Sequence, residues 1–177
     1  MLQYRIAAMT GKERNYVAPL LKRQLPNEVL LSEVERMLAA GREVVLVPKG
    51  RSMLPFIRGE VDKVLLQRVP QSQLKVGDIA LARVGERYVM HRIIDLKGDQ
   101  VTLMGDGNLR GTELTMRSEV AGVVMEIITP DGRHRKPTSG RLWRRLLPIR
   151  KYLLKIYRKW NKLRTSSRVP RPEVPRQ

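Results

Sequence analysis

The chain reads as a mainly β domain of α+β character, a compact antiparallel sheet with one helix ahead of it and a basic amphipathic helix behind. Three observations predict this. Short runs rich in Val, Ile and Leu recur between glycine-bearing turns at Gly59-Glu60, Gly77-Asp78, Gly85-Glu86 and Gly98-Asp99, which is the pattern of successive short strands joined tightly. Ahead of the tail, one stretch, 27–41, has helical rather than alternating spacing. Charge is divided unevenly: residues 1–132 carry 19 basic and 16 acidic residues, whereas residues 133–177 carry 16 basic and one acidic, so the net charge of +18 resides mostly in the tail.

Taken in order, residues 1–26 lack strong periodicity and read as a loosely attached lead-in. Residues 27–132 form the domain, 133–164 a basic helical tail, and 165–177, rich in Pro and Arg, a disordered end. Asn27 can cap the first helix and Gly41 stop it, with Leu30, Val34, Met37 and Leu38 on its apolar face. A β-rich run, Glu43 to Pro48, follows. Strands are expected over 61–66, 79–84, 88–95, 101–104 and 118–128, with Gly85-Glu86 closing a hairpin.

The chain has no cysteine and two histidines far apart. That excludes disulfides, thiolate metal sites and a cysteine nucleophile, and it leaves no metal-ligand spacing, so neither metal nor cofactor is expected. Nothing approaches the ~18–20 continuous apolar residues of a membrane span, and the first ten residues are too weakly apolar for a secretory leader. The expected location is cytoplasmic, with peripheral attachment to the inner membrane face.

Chemistry is concentrated in two stretches. Lys49-Gly50-Arg51-Ser52-Met53-Leu54-Pro55 places a serine in a tight apolar turn after a strand, where Gly50 allows a sharp bend and Met53 and Leu54 can bury themselves beside it. Downstream, Arg87-Tyr88-Val89-Met90-His91-Arg92 places a histidine in a strand. A serine hydroxyl needs a base to remove its proton, and imidazole titrates where that task requires. Ser52 and His91 are the candidate pair.

With Lys75-Val76-Gly77-Asp78-Ile79 and Gly105-Asp106-Gly107-Asn108, these two stretches resemble, in order and spacing, the four motif boxes of the signal peptidases and the related self-cleaving repressors, the S24/S26 serine peptidases. The resemblance covers about residues 43–126. It implies a coiled antiparallel β fold, Ser52 as nucleophile and, as in the members with histidine before arginine, His91 as base. Such members carry an aspartate a few residues beyond the last box; here that region reads Leu109-Arg110-Gly111-Thr112-Glu113, so the acid that orients His91 is either Asp106 or Glu113. Gly50 stands where many members carry an oxyanion-stabilising hydroxyl, which assigns the oxyanion to backbone N–H groups around Gly50, Ser52 and Met53. The substrate implied is a leader or precursor peptide. The alternative is a non-catalytic module that keeps the fold and binds membrane or nucleic acid.

The tail carries a second signal. Leu142, Leu146, Ile149, Leu153, Ile156, Trp160 and Leu163 recur at spacings of four and three, which makes one helical stripe, and Pro148 kinks this helix or begins its second half. Trp143, Arg144, Arg145, Arg150, Lys151, Arg158, Lys159 and Trp160 are the candidate contacts to an anionic partner. The stripe either packs on the β domain or lies on an anionic membrane; nucleic acid is the less favoured ligand.

Overall fold

The computed structural model of the chain describes residues 6–9 and 27–166. Strands β1 (Ile6–Met9), β2 (Glu43–Leu46), β3 (Lys63–Gln67), β4 (Ile79–Val84), β5 (Arg87–Lys97), β6 (Gln100–Met104), β7 (Glu113–Met116), β8 (Val120–Ile128) and β9 (His134–Arg135) join in one sheet. Its order is β1-β2-β3-β8-β4-β5-β6-β7, with β9 also on β8, and every pairing is antiparallel. The mainly β reading therefore holds. The sheet curls: register shifts at Leu65/Leu66, Leu81/Ala82 and Ile93/Asp95 bend its strands. The curl brings β7 back to β4, where the Thr115 hydroxyl donates to the Arg83 carbonyl at 2.6 Å.

Alternation along the strands divides the buried residues between two faces. From β4, Ile79 and Leu81 point into one cluster with Val44, Leu46, Val64, Leu66, Val124 and Ile127, while Ala80 and Ala82 point into the other with Ile93, Val101, Leu103 and Val123. Helix α1 (Asn27–Ala39) covers the first cluster with Leu31, Val34 and Leu38. It can approach because β8 offers Gly122, where a Cβ would stand 2.9 Å from a Leu38 methyl. Gly41 ends the helix as expected, at φ +74° with its N–H donated to the Leu38 carbonyl at 3.0 Å.

Three elements depart from expectation. Ile6–Met9, read as part of a loosely attached lead-in without strong periodicity, is a strand paired with β2 from Ile6↔Leu46 to Met9↔Glu43. Glu113–Met116, read as loop, is β7. The tail crosses the body before turning helical: β9 adds to β8, and the helical part is two helices, α2 (Arg141–Arg145) and α3 (Leu147–Ser166), with Pro148 in the first turn of α3. The expected disordered end, 165–177, lies outside the described residues except at its first two positions. Among the described residues no helix is long and apolar enough to cross a membrane.

Candidate active site

Between β2 and β3 the chain makes a long excursion, residues 47–62, that carries Ser52. It is closed at its base by the Glu60 N–H donated to the Pro48 carbonyl at 2.8 Å. It is braced by the buried Asp62, which accepts from the Arg58 backbone N–H at 2.8 Å and from its guanidinium at 2.6 Å. Met53, Leu54 and Ile57 are buried, as the sequence suggests for the serine's neighbours. Gly50 has φ +80°, the left-handed conformation that glycine adopts without strain. A Cβ on Gly59 would lie 2.1 Å from the Gly50 carbonyl oxygen, so the two limbs of the excursion touch backbone to backbone.

The Gly105-Asp106-Gly107-Asn108 loop backs this turn. The Gly107 N–H donates to the Ser52 carbonyl at 2.6 Å. Side chains are excluded there: a Cβ on Gly107 would fall 2.4 Å from the Arg51 carbonyl oxygen, and one on Gly105 2.6 Å from that of Ser52. The spacing of glycines in the box is thus the spacing of two close backbone approaches. Among the described residues no backbone carbonyl takes the Ser52 or Met53 N–H.

His91 lies on β5 and is buried, 6% exposed. Its Nδ1 stands 2.9 Å from Oε2 of Glu113, whose other carboxylate oxygen lies 3.8 Å from the Arg87 guanidinium. Sheet register makes this contact. Ile93, Leu103 and Glu113 stand opposite one another across β5, β6 and β7, and His91 is two residues along β5 from Ile93, on the same side of the strand. With Nδ1 committed to Glu113, Nε2 is the nitrogen left for proton exchange.

Asp106 does not orient the histidine. It is buried beside Arg92, which donates to it through Nε at 2.9 Å and Nη2 at 2.6 Å. Arg92 follows His91, so it points to the opposite side of β5 and takes Asp106 with it. There Nη1 donates to the carbonyls of Gly77 at 2.7 Å and Thr138 at 2.5 Å, and the guanidinium lies 5.2 Å from the centre of the Phe56 ring. Of the two acids read from the sequence, Glu113 belongs to the site and Asp106 to its scaffold.

Ser52, His91 and Glu113 line a single cleft of about 260 Å³, together with Gly50 and Met53. Leu31, Leu46, Ile57 and Leu81 make its floor apolar. The cleft straddles an edge: Arg87–His91 pairs with β4, and pairing of β5 with β6 begins only at Arg92↔Met104. Hence Tyr88 and Met90 enter it from one face of the strand and Val89 and His91 from the other. Tyr88 also donates to Glu35 of α1; burial, then this bond, holds its phenol above the usual tyrosine pKa. Among the described residues no cluster of His, Asp and Glu could hold a metal ion.

Compared with known proteins, the chain is matched by no family model and by no curated protein.

The tail residues divide. Trp143 turns inward: its Nε1 donates to the Asp106 carbonyl at 2.8 Å, and its ring meets Phe56 edge to face at 5.9 Å. Arg150, expected at an anionic partner, is 1% exposed, lies 5.4 Å from the Trp143 ring centre and donates to the Asn108 carbonyl at 3.1 Å. Burial pulls its guanidinium below the usual arginine pKa; the Asp106 charge opposes that and the Arg92 charge adds to it. Both residues brace the loop behind Ser52, Arg150 buried and Trp143 half-buried. Arg145, Lys151, Lys159 and Trp160 are exposed and Arg144 is half-buried, while the Arg158 side chain lies outside the described residues. Sequence reasoning missed Glu113's partner Arg87, the scaffold role of Arg92 and the touching pair Gly50 and Gly59. Strict alternation after His91 is the signal that separates Arg92 from the site.

Proposed function

We propose that the chain is a serine endopeptidase of the signal-peptidase-like type that its motif boxes resemble, acting on a leader or precursor peptide. The observation that carries this reading is that Ser52, His91 and Glu113 line one cleft with the His91–Glu113 contact already made. Ser52 Oγ attacks the scissile carbonyl while His91 Nε2 takes its proton. The tetrahedral oxyanion is held by the N–H groups of Ser52 and Met53. His91 then returns the proton to the leaving amine, and water repeats the sequence to release the acyl group from Ser52. Glu113 fixes the tautomer that leaves Nε2 basic and stabilises the imidazolium. The unpaired edge at Arg87–His91 supports an extended peptide as substrate, because a strand added there runs along the cleft. A non-catalytic module has no need of an acid against the histidine, so Glu113 weighs against that alternative.

The test is cleavage of a library of precursor-like peptides by the full chain, compared with Ser52→Ala, His91→Ala and Glu113→Gln. Loss of cleavage in the first two variants with unchanged thermal unfolding is the expected outcome. Equal cleavage by Ser52→Ala and wild type would sink the proposal.

A further inference from the structure

The docked α3 leaves an outward face that the candidate active site does not use. Arg150 and Leu154 are buried, with Leu153 and Tyr157 half-buried beside them, so positions 150, 153, 154 and 157 define the side seated on the body. Ile149, Tyr152, Ile156 and Trp160 fall on a neighbouring line and are 48%, 61%, 63% and 67% exposed. Leu142 of α2, 71% exposed, precedes them. Lys151, Lys155 and Lys159, all exposed, form a parallel row at four-residue intervals, and Arg141 and Arg145 are exposed on α2. Between residues 141 and 160 the sequence holds eight basic residues and no acidic one.

We propose that this face is a docking surface for an anionic lipid bilayer, with α3 lying in the plane of the membrane. An apolar line alone would fit many partners, but the adjoining row of cations selects a surface that is apolar within and negative outside. Tyr152 and Trp160 suit the headgroup level, where an aromatic ring with a polar edge is at home. Nucleic acid is a poorer match: bases stack on the aromatic rings, but Ile149 and Ile156 between them offer a phosphodiester chain nothing. A second copy of the chain would set lysine row against lysine row around a two-fold axis. The inner face, through Trp143 and Arg150, remains seated on the loop behind Ser52. The proposal stands independently of the peptidase reading.

The experiment uses the full chain and vesicles of phosphatidylcholine, with and without about one part in three phosphatidylglycerol. Co-sedimentation should be strong on the anionic vesicles and weak on the neutral ones. The chain has two tryptophans; Trp143 is already packed, so a blue shift of emission on anionic vesicles reports Trp160. Trp160→Phe should abolish the shift, Ile149→Glu with Ile156→Glu should abolish sedimentation, and replacing Lys151, Lys155 and Lys159 by Gln should weaken it roughly tenfold or more. Because all six side chains are exposed, unchanged thermal unfolding is the control. Absence of sedimentation on the anionic vesicles overturns the proposal. So does binding to RNA that vanishes at high salt with no blue shift on lipid, or a dimer that Ile156→Glu dissociates while vesicle binding is unaffected.

Discussion

Glu113 and Asp106 stand on opposite sides of β5, the first against His91 through a 2.9 Å contact to Nδ1 and the second against Arg92 at 2.6 Å. Two acids seven residues apart are thereby given different tasks, and two variants separate them. Glu113→Gln preserves shape but removes the charge that favours the imidazolium, so peptide cleavage should fall by about 10³–10⁴-fold while the unfolding midpoint changes little. Asp106→Asn leaves Arg92 buried without its counter-charge and should cost about 3–5 kcal/mol of stability. Paired urea titrations and turnover measurements check both; the reverse pattern would exchange the two assignments.

Gly107 tests the contact between the two loops. A methyl group there must displace the Arg51 carbonyl, 2.4 Å away, and the same shift breaks the 2.6 Å bond from the Gly107 N–H to the Ser52 carbonyl. Gly107→Ala should therefore reduce turnover of a cleaved peptide by an order of magnitude or more while leaving far-ultraviolet circular dichroism unchanged. Gly98→Ala is the control: its Cβ meets nothing within 4 Å, and only the φ of +56° disfavours it. That variant should lose about 0.5–2 kcal/mol of stability and no activity.

Much of this arrangement was legible in the chain, and the reasons for the rest are physical. Ser52 and His91 stand out because a glycine turn and a strand are local signals. The choice between Asp106 and Glu113 is not local: it depends on which residue of β7 lies opposite Leu103, a register that no neighbour of Glu113 encodes. β7 itself is four residues bounded by Gly111 and the turn at Arg117–Glu119, too short for alternation to declare it. β1 is recognisable only by its partner β2, far along the chain. In the tail, helical spacing identified the apolar positions but not which adjacent line the body covers. Leu153 and Leu154 show the ambiguity: Leu153 continues the predicted stripe, yet its neighbour is the one fully buried. Arg150 breaks the expectation that cations face water because it finds the Trp143 ring and a carbonyl instead.

Tyr88 gives a pH-dependent prediction. Its hydrogen bond to Glu35 ties α1 to the strand that carries His91, and burial raises the phenol's pKa. A raised folded-state pKa means that the protonated phenol stabilises the fold. Relative to Tyr88→Phe, the wild type should be more stable by about 1 kcal/mol below the ordinary tyrosine pKa of about 10, and the advantage should fade as pH rises through the higher folded value. Urea midpoints of both proteins across the alkaline range check this. A difference that grows with pH would contradict the assigned sign.

Trp143 joins the outer helices to the Ser52 turn, since its indole holds the Asp106 carbonyl and the next residue but one in that loop is the Asn108 that Arg150 holds. Trp143→Phe keeps an aromatic ring for Phe56 and for the Arg150 guanidinium but has no N–H to donate. The orphaned carbonyl should cost about 1–3 kcal/mol in unfolding free energy, and because the same loop supports Ser52, turnover should fall several-fold at saturating peptide, a loss in kcat rather than in KM. If the helices were mere decoration, the stability loss would arrive with kcat unchanged. Measuring both quantities on the one variant therefore decides whether α2 and α3 support the Ser52 turn or only rest beside it.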